Sequence, residues 1–153
     1  MSEFTAVHHI GIPVPDLDGA LAWYRDVLGL EDKGQTGGGG GPEISKALEV
    51  DGADVRFAFL HVGDVIVEML EYKEPGAGKP FTSSNNDVGT VHLCFAVDDI
   101  DEAYEELSAK GVKFNAPPIR LDAKAGVLDG YAFAYFRDPH GVQLEMFELP
   151  DRG

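Results

Sequence analysis

Two histidines and two glutamates recur in step along this chain. The stretch "HIGIPVPDLD" begins at His9 and "HLCFAVDDID" begins at His92. Aligning the two histidines sets Val14 on Val97, Asp16 on Asp99, Leu17 on Ile100, Asp18 on Asp101 and Ala20 on Ala103. A second echo follows each: "VIVEMLE" from Val65 and "VQLEMFE" from Val142, with Glu68 on Glu145 and Met69 on Met146. Two imidazoles and two carboxylates suit a borderline divalent metal such as Zn, Ni, Co, Mn or Fe(II). Taken singly, a strand histidine is usually a hydrogen-bonded residue and a strand glutamate usually faces water. The repeated His-then-Glu pair is what marks His9, Glu68, His92 and Glu145 as candidate metal ligands.

The local pattern supports them. Side chains alternate across a strand, so His9 shares its face with Gly11 and Pro13, and His92 shares its face with Cys94 and Ala96. The bulky Ile10, Ile12, Val14, Leu93, Phe95 and Val97 point the other way. Both histidines therefore sit on faces cleared of bulk. Glu68 and Glu145 lie inside apolar strands, where an unpaired carboxylate is costly. His8 competes with His9, but the echo and the pleat favour His9. His61 and His140 fall at predicted turns and are read as solvated. Cys94 is read as a small buried residue rather than a nucleophile, because no base is placed for it.

Each echo needs the same elements to position it. A β run, "VHHIGIPV", is followed by Asp16 as N-cap and by a helical stripe of Leu17, Ala20, Leu21, Tyr24, Val27 and Leu28 that stops at Gly29. "KALEV", "VRFAFLHV" and "VIVEMLEY" read as three further strands, with "HVGD" as a turn. In the second half "TVHLCFAV" reads as a strand. Asp99 caps a helix striped by Ile100, Ala103, Tyr104 and Leu107 and ended by Gly111. Strands near "VKF", "YAFAYF" and "VQLEMFEL" follow, with "RDPHG" as the last hairpin turn. The order is βαβββ, twice: a module over residues 5–72, a linker over 73–89 and a second module over 90–149. The fold class is α+β. The run "GQTGGGGGP" lacks the ending of a phosphate-binding loop and reads as a mobile loop, with residues 37–41 as a possible lid.

Composition narrows the function. The chain has 153 residues, 44% of them hydrophobic, and a net charge of −15. Such a charge argues against nucleic acid and anionic membrane surfaces as partners. No apolar run reaches the roughly 20 residues of a membrane span. The opening "MSEFTAVHH" lacks the pattern of a secretory signal, and a single cysteine fits a reducing compartment, so a cytoplasmic location is expected.

At these motifs the sequence resembles the vicinal oxygen chelate superfamily, the group of glyoxalase I, methylmalonyl-CoA epimerase, extradiol dioxygenases and the bleomycin- and fosfomycin-resistance proteins. The resemblance rests on "HIGIPVPDLDGALAWYRDVLGL", "VEMLEY", "HLCFAVDDIDEA" and "RDPHGVQLEMFEL" and runs from about Val7 to Leu149. It implies paired βαβββ modules whose curved, mostly antiparallel sheets close around one divalent metal ion held by His9, Glu68, His92 and Glu145. It further implies a lyase or isomerase that acts on a small oxygen-chelating substrate through a metal-stabilised enediolate. Glu145 would be the general base, Glu68 its complement and the two histidines the fixed ligands. Pro13 and Tyr72 stand where glyoxalase I carries an arginine and an asparagine for glutathione, and "RDPHG" departs from the epimerase pattern before the final glutamate. Candidate substrate-binding residues are Phe59, Tyr72, Tyr131 and Tyr135, with Phe57 and Phe133, and Arg56 and Arg120 as anchors for an anion. The other readings are a ligand-sequestering resistance protein and an Fe(II) extradiol-type dioxygenase. A homodimer is expected.

Overall fold

The computed structural model describes residues 3–80 and 84–150. The chain divides into two compact units, Met1–Lys79 and Pro80–Gly153. Part of the expected linker, residues 81–83, lies outside the described residues. The class is mixed α+β, and each unit holds one open four-stranded sheet.

In the first unit the elements are β1 (Ile10–Val14), α1 (Leu17–Asp26), β2 (Glu31–Gly40), α2 (Pro42–Leu48), β3 (Asp54–Val62) and β4 (Val65–Glu74). The sheet order is β1-β4-β3-β2, with β1 parallel to β4 and the other pairs antiparallel. The expected cap forms: the Asp16 carboxylate accepts from the Asp18 backbone N–H, and α1 buries Leu17, Ala20 and Tyr24. Gly29, at φ +80°, ends the helix as expected. Ile12, Val14, Ala58, Leu60, Val67 and Met69 complete this core. They all lie on the sheet face that α1 covers, because strand alternation sends every second side chain there.

Two expectations fail in this unit. "KALEV" falls in α2 and the residues after it, not in a strand. Pro42 opens that helix, a position where its missing N–H costs nothing, and Glu, Lys, Ala and Leu are good helix formers. The glycine run is neither loop nor lid. Gly37 to Gly40 belong to β2, paired along β3 from Phe57 to Asp54. Their composition permits a close approach that a side chain would block. A Cβ on Gly37 would stand 2.5 Å from the Phe57 ring, and one on Gly38 would collide with the Val55 carbonyl.

In the second unit the elements are β5 (Leu93–Val97), α3 (Ile100–Ala109), β6 (Ile119–Arg120), a 3-10 segment (Ala123–Leu128), β7 (Ala132–Arg137) and β8 (Gln143–Glu148). The order β5-β8-β7-β6 repeats that of the first sheet, and β5 runs parallel to β8. Asp99 caps α3 by accepting from the backbone N–H groups of Asp101 and Glu102. Ile100, Ala132, Ala134, Phe136, Leu144 and Met146 are buried. "VKF" gives only an isolated bridge from Phe114 to Phe136. The prolines of "NAPP" have no N–H to donate to a ladder, so pairing resumes only at Ile119. The "RDPHG" turn is as expected, with the Asp138 carboxylate accepting from the backbone N–H groups of His140 and Val142. Among the described residues no helix is long and apolar enough to cross a membrane.

Candidate metal centre

Within each unit the structure brings one expected pair together. His9 Nε2 lies 3.1 Å from Glu68 Oε2, and His92 Nε2 lies 3.0 Å from Glu145 Oε2. The strands explain the match. Each histidine directly precedes a strand that runs parallel to the strand bearing its glutamate, with Gly11 opposite Glu68 and Cys94 opposite Glu145. The glutamates are largely covered, at 12% and 9% side-chain exposure, while the histidines remain open at 39% and 44%. Among the described residues no group of three or more His, Cys, Asp or Glu side chains is gathered for a metal ion. What the sheets build are pairs.

The pairs suit a metal. Two ligand atoms each about 2.1 Å from one ion, at roughly tetrahedral or octahedral angles, stand about 3.0–3.4 Å apart. Both His–Glu separations meet that spacing, and imidazole with carboxylate is a fitting donor set.

The surroundings of the pairs differ. His9 Nδ1 lies 2.8 Å from His8 Nδ1, so the expected rival of His9 is instead its hydrogen-bonding neighbour. Phe59, opposite Glu68 in the sheet, stacks on His9 at 6.0 Å between ring centroids. Tyr135 occupies the matching place opposite Glu145 and meets His92 edge-on at 5.4 Å. Tyr135 and Cys94 flank Glu145 across the register, one on each neighbouring strand. Burial first, and then the Glu145 charge, push the Tyr135 phenol and the Cys94 thiol each up to about 12. Both therefore keep their protons near neutral pH. Cys94 is exposed, not buried as expected, because β5 turns it to the face that carries His92 and Glu145.

The register places the expected aromatic residues. Phe57, Phe59 and Tyr72 share the face of Glu68. Phe133 and Tyr135 share the face of Glu145, and Tyr131 packs there against Phe147. Arg56 departs from its expected role. It lies on the opposite, helix-covered face and donates to Glu71 at 2.8 Å and to Asp18 at 3.1 Å. Glu71 also accepts from the Leu17 N–H at the start of α1, at 2.9 Å. Arg120 repeats this in the second unit, donating to Glu148 at 3.1 Å and Asp101 at 2.6 Å. Glu148 there accepts from the Ile100 N–H at 2.8 Å. The clasp is a duplicated fastening of helix to sheet, not an anion anchor. Glu71 and Glu148 each stand three residues past Glu68 and Glu145, an odd step that turns them to the other face. His61 lies in β3 rather than a turn, 2.6 Å from the Gln35 side chain.

Comparison with known proteins agrees with this architecture. The model of the glyoxalase/bleomycin resistance protein/dioxygenase superfamily matches residues 6–146. A 2-epi-5-epi-valiolone epimerase from Actinomyces sp. is 36% identical over 149 residues, spanning 95% of this chain and 80% of its own. The human mitochondrial methylmalonyl-CoA epimerase is 27% identical over 143 residues, spanning 92% and 72%. Among solved structures, a glyoxalase family protein from Bacillus cereus superposes with a TM-score of 0.80 at 19% identity, covering 96% of this chain and 95% of that one. A fosfomycin resistance protein from Listeria monocytogenes, solved in complex with Mn(II) and sulfate, superposes with a TM-score of 0.59 at 16% identity, covering 97% and 96%.

Proposed function

The chain belongs to the glyoxalase/bleomycin resistance protein/dioxygenase superfamily, and from that membership we propose that it is a metal-dependent isomerase: an epimerase that inverts a carbon beside a carbonyl group in a small, oxygen-rich substrate. The duplicated His–Glu pair, at 3.1 and 3.0 Å, is the observation that carries this reading. The epimerase names of its relatives support the reaction class. In this reading His9 with Glu68, and His92 with Glu145, are the ligand pairs for a divalent ion. When bound, such an ion supplies Lewis-acid stabilisation of charge developing on the substrate's carbonyl oxygen.

The protein's own groups handle the proton. Inversion requires that a C–H proton leave one side of a carbon and a proton return on the other. Glu145 and Glu68 are the two carboxylates for these transfers, while His9 and His92 stay in place. The aromatic residues beside the pairs exclude water from the reacting carbon. Arg56 and Arg120 are committed to carboxylates on the helix-covered faces, which takes away the two expected anchors for a substrate anion.

The test is metal content per chain in the untagged protein, followed by incubation in D2O with 2-epi-5-epi-valiolone and, separately, methylmalonyl-CoA. Near-stoichiometric divalent metal, lost in His92→Ala, and deuterium entering the inverted carbon are the expected results. Glu145→Gln should block the exchange. A chain that refuses every added divalent ion would overturn the reading.

A further inference from the structure

The glycines that end β2 share one exposed strand, but the space above each differs. A Cβ on Gly38 would meet the Val55 carbonyl, and one on Gly39 would meet nothing within 4 Å. For Gly37 the three nearest atoms all belong to the Phe57 ring, at 2.5, 3.0 and 3.2 Å. Gly37 stands opposite Phe57 in the register, so the bare backbone of β2 is the seat on which that ring lies. From there the rings continue towards the first ligand pair. Phe57 lies 5.3 Å from Phe59 between centroids, at an interplanar angle of 30°. Phe59 in turn lies 6.0 Å from His9, at 27°. Both separations fall within the roughly 4.5–7 Å of favourable aromatic packing. Phe59 also meets His8 edge-on at 6.3 Å. All of these residues belong to the first unit.

We infer that Gly37 is a positioning residue: its missing side chain seats Phe57, and Phe57 acting through Phe59 sets the plane of the His9 imidazole beside Glu68. That this plane serves a metal ligand rests on the metal reading above. His9 directly precedes β1 and is exposed, so its ring takes its orientation from neighbouring side chains rather than from the core. A ligand must be held within about 10–20° of its productive orientation by side chains that packing has locked. The clash at Gly37 falls on the far end of a side chain, whereas the clash at Gly38 falls on backbone. An added methyl at Gly37 therefore moves a ring and leaves the strand pairing intact.

The test uses the full chain. The histidine Cε1–H signals are recorded by two-dimensional NMR in metal-free protein, with His9 assigned by its loss in His9→Gln. Wild type, Gly37→Ala, Gly39→Ala, Phe57→Leu and Phe59→Leu are compared, and each is then titrated with Co(II) against a competing chelator. Gly37→Ala should shift the His9 signal, as should Phe57→Leu and Phe59→Leu, because the ring current on His9 changes. The His140 signal, from the turn in the second unit, should stay in place, and Gly39→Ala should match wild type throughout. Gly37→Ala should also weaken Co(II) binding about 10-fold, the low end for groups that orient metal ligands. Phe57→Leu carries the same expectation without the added methyl if Gly37→Ala does not fold. A His9 signal that ignores Gly37→Ala or Phe59→Leu overturns the inference. An equal shift from Gly39→Ala does so too, since any methyl on β2 would then suffice. Wild type that takes up no Co(II) sinks the metal reading and the ligand-positioning role with it. Wild type that binds, with Gly37→Ala equal to it in affinity, leaves the metal reading standing and overturns the positioning role.

Discussion

The two units surround their His–Glu pairs differently. His9 has His8 at its other ring nitrogen and Phe59 on its face. His92 meets Tyr135 edge-on instead, and Tyr135 and Cys94 flank Glu145 in the register. The sheet order, the helix caps and the Arg–Glu–Asp clasp are otherwise the same in both units. Duplication preserved the framework, and divergence fell on the residues flanking the ligands.

The equivalence of the frameworks can be broken most severely at the core. Met69 and Met146 are buried at matching positions, at 0% and 1% exposure. Met69→Ala and Met146→Ala should each cost about 2–5 kcal/mol in chemical denaturation, as expected for emptying a filled core site. Similar costs would support equivalent packing in the two units, and a near-neutral effect in one would break the parallel.

The edges of the sheets are where the units differ in build, ten residues of β2 against two of β6. Gly38→Ala pushes a Cβ into the Val55 carbonyl, whereas Gly39 has nothing within 4 Å of that position. The first change should cost about 1–3 kcal/mol. The second should stay within about 0.5 kcal/mol. Equal melting temperatures for the two variants would show that the glycines do not serve close strand approach.

The clasp gives a smaller effect than the core. Glu71→Ala and Glu148→Ala each remove the acceptor of a helix's first backbone N–H. About 0.5–2 kcal/mol is expected for each, in line with the loss of a helix cap. Metal affinity should not change, since both residues face away from the pairs. A change in metal uptake in either variant would mean that the clasp governs the ligands as well as the fold.

The local parts of this protein were legible in its sequence. Asp16 and Asp99 act as caps because a carboxylate before an apolar period has few other uses. "RDPHG" and "HVGD" are turns because their residues favour turning backbone. The ligand pairs were legible because the chain states them twice. The glycine strand was not, since glycine reads as loop unless the approach of Phe57 and Val55 is known. Nor was the clasp, because Arg56 meets Asp18 and Glu71 only after α1 lies on the sheet.

The sequence by itself determined the helix caps, the doubled order of its motifs and the repeated His–Glu positions, because these depend on neighbours along the chain. Tertiary structure alone decided which side chains meet. It committed Arg56 and Arg120 to carboxylates of sheet and helix, turned Cys94 outward and set Tyr135 opposite Glu145. Those outcomes depend on strand register, and register is fixed by the packing of distant segments rather than by any local pattern.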